Sequence, residues 1–364
     1  MPVDAERAGG IATGDIRARS YTVDMHCHVM VPSIEKLVAD RPQKLAEPEM
    51  QLRLIGARSV EHNRRHVLPA AALKMVNLAL RLADMDRMGV DLQVISPSPG
   101  QYYYWADYAL AREMVRNQNE EIADVCRQHP RRLLGLGNVA LQHPELAVEQ
   151  LEYAVKELGL KGVEISSSVN GREIADPSLE GFWAAVQSLG CVVFIHPFGT
   201  SLGERVNRFY LQNMIGQPLE TTIALSNLIF GGVLDRHPGV KILAAHGGGY
   251  LPTYIGRSNH GYRVRPEAQE IQHPPMEYLR RTWFDDLVYE PAGLRHLIDA
   301  VGVSQVVVGT DYPFDMGQYG IHDLLESVSG LSKFDRAQIL GGNALRLLGR
   351  GERGSGENAA GTRA

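Results

Sequence analysis

Histidine and aspartate side chains stand at the ends of short apolar runs, where they could hold a metal ion. His26 and His28 end the first run, and His196 and Asp311 end two later ones. Residues two apart on a strand point to the same face, so both imidazoles lie on one side while Cys27 points away. Imidazole nitrogens and carboxylate oxygens bind divalent transition metals at about 2.0–2.2 Å. We therefore predict that His26, His28, His196 and Asp311 hold one such ion.

The donor set also restricts the kind of metal. Three imidazoles and one carboxylate suit zinc, manganese, iron or cobalt better than magnesium or calcium. We expect one divalent transition metal, zinc first and manganese as the alternative.

A further histidine, His246, ends another run and opens the sequence HGGG. Because the pKa of imidazole lies near working pH, His246 is predicted to act as a general acid/base, and the alternative is a fifth metal ligand. The three glycines would let a substrate or a loop pass close to the backbone. They could equally form a tight turn from strand to helix with no ligand contact.

Eight apolar runs, rich in β-branched residues, alternate with helical stretches. Most are apolar at successive residues, which is typical of strands covered on both faces by helices. The pattern predicts an α/β protein with a (β/α)8 TIM barrel, whose active site lies at the carboxyl ends of the strands. An open doubly wound sheet is the alternative, although no GxGxxG follows the first run. The runs begin at Tyr21, Val90, Leu133, Gly162, Cys191, Val240, Trp283 and Gln305.

The segments between these runs carry helical periodicity and helix-ending residues. They predict helices over 69–89, 108–129, 146–158, 179–189 and 293–301. One connection is much longer than an ordinary loop, so we interpret residues 30–68 as an insertion or lid on the catalytic face. Residues 198–218 could form a second, shorter flap.

Composition limits the possible partners and location. With 364 residues and 44% hydrophobic residues the chain can bury a full core, and residues 21–349 are predicted to form one domain between flexible tails at 1–20 and 350–364. The net charge of -5 gives no reason to expect nucleic acid or an anionic membrane as partner. No run of about 18 apolar residues and no secretory h-region occur, and the three separated cysteines are typical of a cytoplasmic protein.

Several stretches together resemble the amidohydrolase superfamily, in the branch of the aminocarboxymuconate semialdehyde decarboxylases. The resemblance runs from about Val23 to Asn343. It implies the same four metal ligands and an acid/base role for His246. The stretches are DMHCH, LADMDRMGVDLQV, FIHPFG, AHGGGYLPTYIGR and VGTDYPF.

The resemblance also implies how a substrate is held. Arg257 matches an arginine that reaches into the neighbouring subunit's site and clamps a carboxylate, which implies a homodimer. Phe209 and Phe314 match aromatic residues around the substrate. The insertion contains Arg53, Arg58, Arg64 and Arg65, none of which aligns without a gap, and we take Arg65 as the substrate contact.

The function that this resemblance implies is nonoxidative decarboxylation of an unsaturated or aromatic acid, a small-molecule carboxylate. His246 and Asp311 are the candidates for moving the proton. Hydrolysis of a lactone or amide is the main alternative, with Asp311 taking a proton from the attacking water. Hydration of an unsaturated diacid and a catalytically inactive scaffold are the others. The fourth run lacks the lysine that would bridge two metals, which favours one ion.

Other polar residues near the strand ends receive supporting roles. Asp285 and Asp286 could orient His246 or a backbone amide. Glu164 is expected to be paired inside the barrel, not catalytic. Among the remaining histidines, His66 is the best candidate to reach the metal, through the insertion.

Overall fold

The computed structural model describes residues 20–350. The predicted tails lie outside these residues apart from Ser20 and Arg350. Each of the eight predicted runs contains a strand. The strands are β1 Val23–Val29, β2 Leu92–Pro97, β3 Leu133–Gly135, β4 Gly162–Ile165, β5 Val192–Ile195, β6 Lys241–Ala244, β7 Trp283–Asp285 and β8 Val306–Val307.

These strands are parallel and close into a barrel. One sheet has the order β1-β2-β3, and the other runs from β4 through β5, β6 and β7 to β8. Backbone hydrogen bonds join the two sheets at both seams: Gly137 donates to Gly162 at 2.9 Å, and Met25 donates to Val308 at 2.9 Å. The closed (β/α)8 barrel is confirmed, and the open sheet is excluded.

Helices surround the barrel and fill the long connections. Within residues 20–350 no single helix is long and apolar enough to span a membrane, although the pair Pro42–Val76 and Leu78–Met88, bent by 101°, meets the criteria of length and composition together. The helices are α1 Pro32–Val38, α2 Pro42–Leu45, α3 Glu47–His62, α4 Leu68–Val76, α5 Leu78–Met88, α6 Tyr108–Gln128, α7 Pro144–Glu152, α8 Glu180–Leu189, α9 Gln217–Phe230, α10 Val233–Arg236, α11 Leu251–Val264, α12 Pro275–Leu279, α13 Pro291–Val301, α14 Ile321–Ser327, α15 Lys333–Ala337 and α16 Asn343–Leu347.

Local sequence explains why the crossover helices form where they do. Asp107 caps α6 by accepting a hydrogen bond from the Leu110 amide at 2.9 Å. Leu110, Met114 and Ile122 then recur at helical spacing and are buried against the barrel. The segment predicted as one helix over 69–89 contains two, α4 and α5, because Asn77 leaves the helical conformation and caps α5.

The insertion after β1 is helical, whereas we expected no helix before residue 69. None of the α3 residues is buried. A helix without a buried face needs no apolar residues at helical spacing, so its sequence carries no signal for it. Gly56 breaks α3 with a φ of 77°, and a Cβ there would lie 2.3 Å from the Asn207 carbonyl oxygen. The insertion therefore packs closely against the loop that follows β5, on the carboxyl side of the barrel.

Candidate metal centre and active site

Four side chains converge at the carboxyl end of the barrel. His26 and His28 lie on β1, His196 follows β5, and Asp311 follows β8. One ligand atom from each lies within 4.8 Å of the others, and all four residues are buried. The Nε2 atoms of His28 and His26 lie 3.2 Å and 3.5 Å from Asp311 Oδ1. The structure thus brings together the four side chains that the sequence singled out, and we call them the metal group.

The metal group fits a cation because each of its three imidazoles has a buried ring nitrogen without a hydrogen bond. These atoms are Nε2 of His26 and both nitrogens of His28 and His196. Buried polar atoms are nearly always hydrogen-bonded, so three neighbouring imidazoles that all lack a partner are unusual. Three imidazoles and one carboxylate are a donor set for a divalent transition metal.

A β-bulge shapes β1 where it presents these ligands. Between Asp24 and Cys27 the strand advances three residues while β2 advances two. Such bulges re-aim side chains next to active sites. After the bulge, His26 and His28 face the barrel interior, and the Cys27 thiol donates outward to the Val94 carbonyl at 3.4 Å.

Asp285 supports two histidines at once. Its Oδ2 lies 2.7 Å from His26 Nδ1 and accepts the backbone N–H of His246 at 3.0 Å. Its Oδ1 accepts the Gly247 amide at 2.7 Å. With its Nδ1 proton directed at Asp285, His26 presents Nε2 to the metal group. A carboxylate behind a ligating imidazole commonly fixes the ring in this way. The predicted contact with a backbone amide is present, and the contact with His26 was missed because 259 residues separate the two in sequence.

His246 lies beside the metal group, outside the set of four. Its Nε2 is 4.0 Å from Asp311 Oδ2, and its buried Nδ1 has no hydrogen-bond partner. Its backbone has a φ of 55°, an uncommon value for a residue other than glycine. Burial, reinforced by the nearby charge of His26, lowers the pKa of His246 to about 4. The side chain is therefore a neutral imidazole at pH 7.

The metal group is electrostatically suited to a cation. Burial acts to lower the pKa of His26, but the hydrogen bond to Asp285 and the nearby carboxylate of Asp311 raise it to about 10. Burial acts to raise the pKa of Asp311, but the imidazoles of His26 and His28 beside it hold it well below its usual value. Burial and the neighbouring imidazoles lower the pKa of His196 well below its usual value. Asp311 is therefore ionised and His196 neutral, as metal binding requires, whereas His26 must give up a proton when the metal binds.

Glu164 is paired inside the barrel, as expected. It accepts hydrogen bonds from the hydroxyls of Tyr102, at 2.6 Å, and Ser96. Its Oε2 lies 3.7 Å from His28 Nδ1. Burial raises the pKa of Glu164. The residue therefore lies behind the ligand on β1 without entering the metal group.

A cleft of about 840 Å³ opens between the insertion and the loops after β5 and β8, and its lining reaches Asp315, four residues beyond Asp311, without including the metal group itself. Phe209 lines this cleft and is 80% exposed. Phe209 and Tyr210 have φ values of 58° and 61°, a costly conformation that is typical of functional segments. Phe314 lies deeper, with its ring centroid 5.7 Å from that of His28. Of the two predicted aromatic residues, Phe314 thus lies against the metal group, whereas Phe209 lies in the cleft.

The arginines of the insertion divide into paired and unpaired groups. Arg65, which we took as the substrate contact, pairs with Glu61 and does not line the cleft. Arg58 lines it instead, together with Arg208, and neither forms an ion pair within residues 20–350. The break at Gly56 sets which side of α3 faces the cleft, and sequence spacing does not reveal it.

Two other predicted residues lie apart from the metal group. Arg257 is exposed on α11, and its guanidinium forms no ion pair or hydrogen bond with the part of the chain that the structure describes. His66 is exposed and packs against His62, with ring centroids 5.1 Å apart. His66 does not join the four ligand residues.

Asp286 is buried one residue beyond β7, where its carboxyl group accepts the Gly309 amide at 2.9 Å. Burial raises the pKa of Asp286 to about 8. Between pH 4 and pH 8 the unfolded chain therefore releases a proton that the folded chain retains, so this group's contribution to stability declines as pH rises through that window.

We expect Asp286→Asn to remove this decline. Asparagine keeps an acceptor for Gly309 and cannot ionise. Relative to the wild type, the free energy of unfolding of the variant should rise with pH, by on the order of 5 kcal/mol between pH 4 and pH 8. Urea unfolding of both metal-free proteins across this range measures the difference, and parallel pH profiles would contradict it.

Comparison with known proteins agrees with this architecture. Residues 23–350 match the amidohydrolase family. A 2-amino-3-carboxymuconate-6-semialdehyde decarboxylase from Dictyostelium discoideum is 38% identical over 272 residues, which are 74% of this chain and 76% of the relative.

Solved structures show the same fold at lower identity. The 5-carboxyvanillate decarboxylase of Sphingomonas paucimobilis superposes with a TM-score of 0.80 at 23% identity, over 91% of this chain and 99% of that one. A dihydroxybenzoic acid decarboxylase from Polaromonas sp., solved with bound manganese, gives 0.74 at 22% identity, over 91% and 97%. With 328 of its residues matched, from 23 to 350, the chain belongs to the amidohydrolase family.

Proposed function

We propose that this protein is a metal-dependent, nonoxidative decarboxylase of an unsaturated or aromatic carboxylic acid, and hence a carboxy-lyase. The observation that carries the proposal is the buried metal group, three imidazoles and one carboxylate within 4.8 Å of one another. The family match and the decarboxylase from Dictyostelium discoideum support the reaction class.

His26, His28, His196 and Asp311 would hold one divalent metal, which supplies positive charge to polarise a substrate oxygen. Zinc is the first candidate and manganese the alternative. The donor set supports both, and the Polaromonas enzyme solved with manganese supports the second. Asp285 keeps the imidazole of His26 oriented from behind through a hydrogen bond, and the Glu164 carboxyl group lies 3.7 Å behind that of His28.

Decarboxylation requires a proton at the carbon that bears the carboxylate. Once this carbon is protonated, the bond to the carboxylate breaks, its electron pair returns to the ring or diene, and CO₂ leaves. His246 and Asp311 are the groups that move the proton, because their Nε2 and Oδ2 atoms are 4.0 Å apart beside the metal group. With a pKa lowered to about 4, His246 is neutral near pH 7, so it would accept a proton at one ring nitrogen only transiently while passing it on.

The cleft supplies the binding surface for the substrate. Phe314 and Phe209 offer apolar faces to a planar unsaturated or aromatic body. A guanidinium can clamp a carboxylate through paired hydrogen bonds. Within one chain the candidates for this role are Arg65, the predicted contact, and Arg58, which lines the cleft. Arg257 of a second copy is the third candidate, in a homodimer whose sites are shared.

Mixing two inactive variants tests the shared site. Arg257→Ala should lose most activity because the substrate carboxylate loses its clamp. After subunit exchange with inactive His246→Asn protein, half of the dimers in an equal mixture hold one intact site, so about a quarter of wild-type activity should return. Steady-state rates across mixing ratios measure this recovery. No recovery at any ratio would place Arg257 outside a shared site.

The cellular setting in the proposal is cytoplasmic, with neither nucleic acid nor membrane as partner. Three free cysteines, two of them buried, and a net charge of -5 support it.

The reaction is tested by incubating metal-loaded protein with carboxylated catechols, vanillates, resorcylates and muconate semialdehydes, and with lactones in parallel. We expect CO₂ release from at least one acid, and its loss in His246→Asn. Lactone hydrolysis without CO₂ release from any acid would contradict the decarboxylase assignment and favour the hydrolase.

A further inference from the structure

A chain of buried hydrogen bonds lies directly beneath the metal group and links β1, β2 and the residues after β8. Arg81 Nη1 donates to Gln93 Oε1 at 2.9 Å, and Gln93 Nε2 donates to Asp24 Oδ2 at 2.9 Å. The Thr310 hydroxyl donates to the same Asp24 oxygen at 2.7 Å. Arg81 is 2% exposed and the other three residues are fully buried.

This chain reaches His26 and His28 through their backbone atoms, and Asp311 through the residue that precedes it. Asp24 Oδ1 accepts the amide of His26 at 3.2 Å and that of Thr310 at 3.1 Å. Arg81 Nη2 donates to the carbonyl oxygen of His28. Thr310 immediately precedes Asp311. The same few side chains therefore hold the ligand pair of β1 and the carboxylate ligand of the neighbouring strand.

Arg81 is the feature that packing alone does not explain. Its guanidinium is buried, yet it has no ion pair among the described residues; its contacts are Gln93, the His28 carbonyl and the face of Tyr312, 4.8 Å away. Burying a charge without an ionic partner is costly, and an apolar side chain of similar volume could fill the space. One donor instead binds Gln93, which is hydrogen-bonded to Asp24 and through it to the amide of His26. The other binds the carbonyl oxygen of His28.

We propose that Arg81, Gln93, Asp24 and Thr310 form a positioning network that sets the spacing of the ligands on β1 and after β8, and thereby the affinity for the metal. None of these four side chains belongs to the metal group. Their effect is exerted through backbone atoms of the ligand residues. The inference rests on the proposed function, because it takes the metal group to bind a metal.

Thr310→Val tests the network with little change in shape. Valine removes the hydroxyl that donates to Asp24 and accepts the Tyr312 amide at 3.2 Å. Thr310→Ser keeps the hydroxyl and serves as the rescue. The control is Thr282→Val, at another buried threonine at the opposite end of the barrel. Among the described residues, the hydroxyl of Thr282 bonds the Tyr278 carbonyl alone, at 3.2 Å. Arg81→Lys is the second test, since lysine keeps the positive charge but lacks the planar guanidinium that donates to Gln93 and to the His28 carbonyl at once.

The measured quantities are the dissociation constant and the release rate of zinc and of manganese, from competition with a chelator, beside the melting temperature of the metal-free proteins. We expect Thr310→Val and Arg81→Lys to weaken binding by about 10- to 100-fold. The dissociation constants of Thr310→Ser and Thr282→Val should stay within about threefold of the wild-type value, because neither change removes a hydrogen bond of the network.

If Thr310→Val and Arg81→Lys bind zinc and manganese as tightly as the wild type, the proposed network is wrong, although the metal site itself is not contradicted. A loss of affinity in Thr282→Val as large as in Thr310→Val would also overturn it, since the effect would then follow general destabilisation. Failure of the wild type to bind either metal would overturn the proposed function and the network together.

Discussion

Replacing His196 with alanine is expected to abolish metal binding and to lower turnover by on the order of 10³-fold or more. Neither ring nitrogen of His196 has a hydrogen-bond partner, so the substitution removes no bond within the protein. Any loss must then come from the missing ligand. Metal content of the purified variant and its rate of CO₂ release measure the two effects.

A matched control separates this result from the loss of a histidine as such. His322 on α14 also has a buried ring nitrogen without a partner, and it lies outside the metal group. His322→Ala should keep full metal content and activity. His26→Ala and Asp311→Ala should lose both, although each also removes internal hydrogen bonds. Full metal content in His196→Ala would remove His196 from the ligand assignment.

Replacing His246 with asparagine is expected to lower kcat by about 10²- to 10⁴-fold while leaving one metal per subunit. Asparagine tolerates the positive φ of 55° at this position and keeps the backbone donor to Asp285. It lacks the imidazole that would carry the proton. The variant is therefore a cleaner test than alanine, which would add backbone strain.

The measurements for this variant are metal stoichiometry, melting temperature and steady-state kinetics on the same preparation. An unchanged kcat would show that His246 moves no proton in the slow step. Loss of metal together with activity would instead make His246 a fifth ligand, which is the alternative that the HGGG sequence left open.

The residues that could be predicted are those whose position follows from local pattern. Apolar runs mark the strands, and in a parallel barrel every strand end reaches the same rim. His26, His28, His196 and Asp311 could therefore be grouped from their places at strand ends, although they come from distant parts of the chain.

The missed features depend on contacts across the fold. Asp285 supports His26 only because the closed barrel brings β7 next but one to β1, with β8 between them, and no local pattern records that proximity. The network through Arg81 depends on the bulge in β1, which is a matter of register with β2. The choice between Arg65 and Arg58 depends on the break in α3 at Gly56.

The insertion shows a different limit. Periodicity reveals a helix when one face is buried, and α3 buries none of its residues. Its place is set by the close approach of Gly56 to the loop that carries Phe209, and the two segments together wall the cleft.

Diffraction data collected at the absorption edges of zinc and manganese, from crystals of protein purified with each metal, test the central claim most directly. We predict one anomalous peak per subunit, about 2.0–2.2 Å from nitrogens of His26, His28 and His196 and from a carboxylate oxygen of Asp311. Well-ordered side chains with no peak among them would contradict the account.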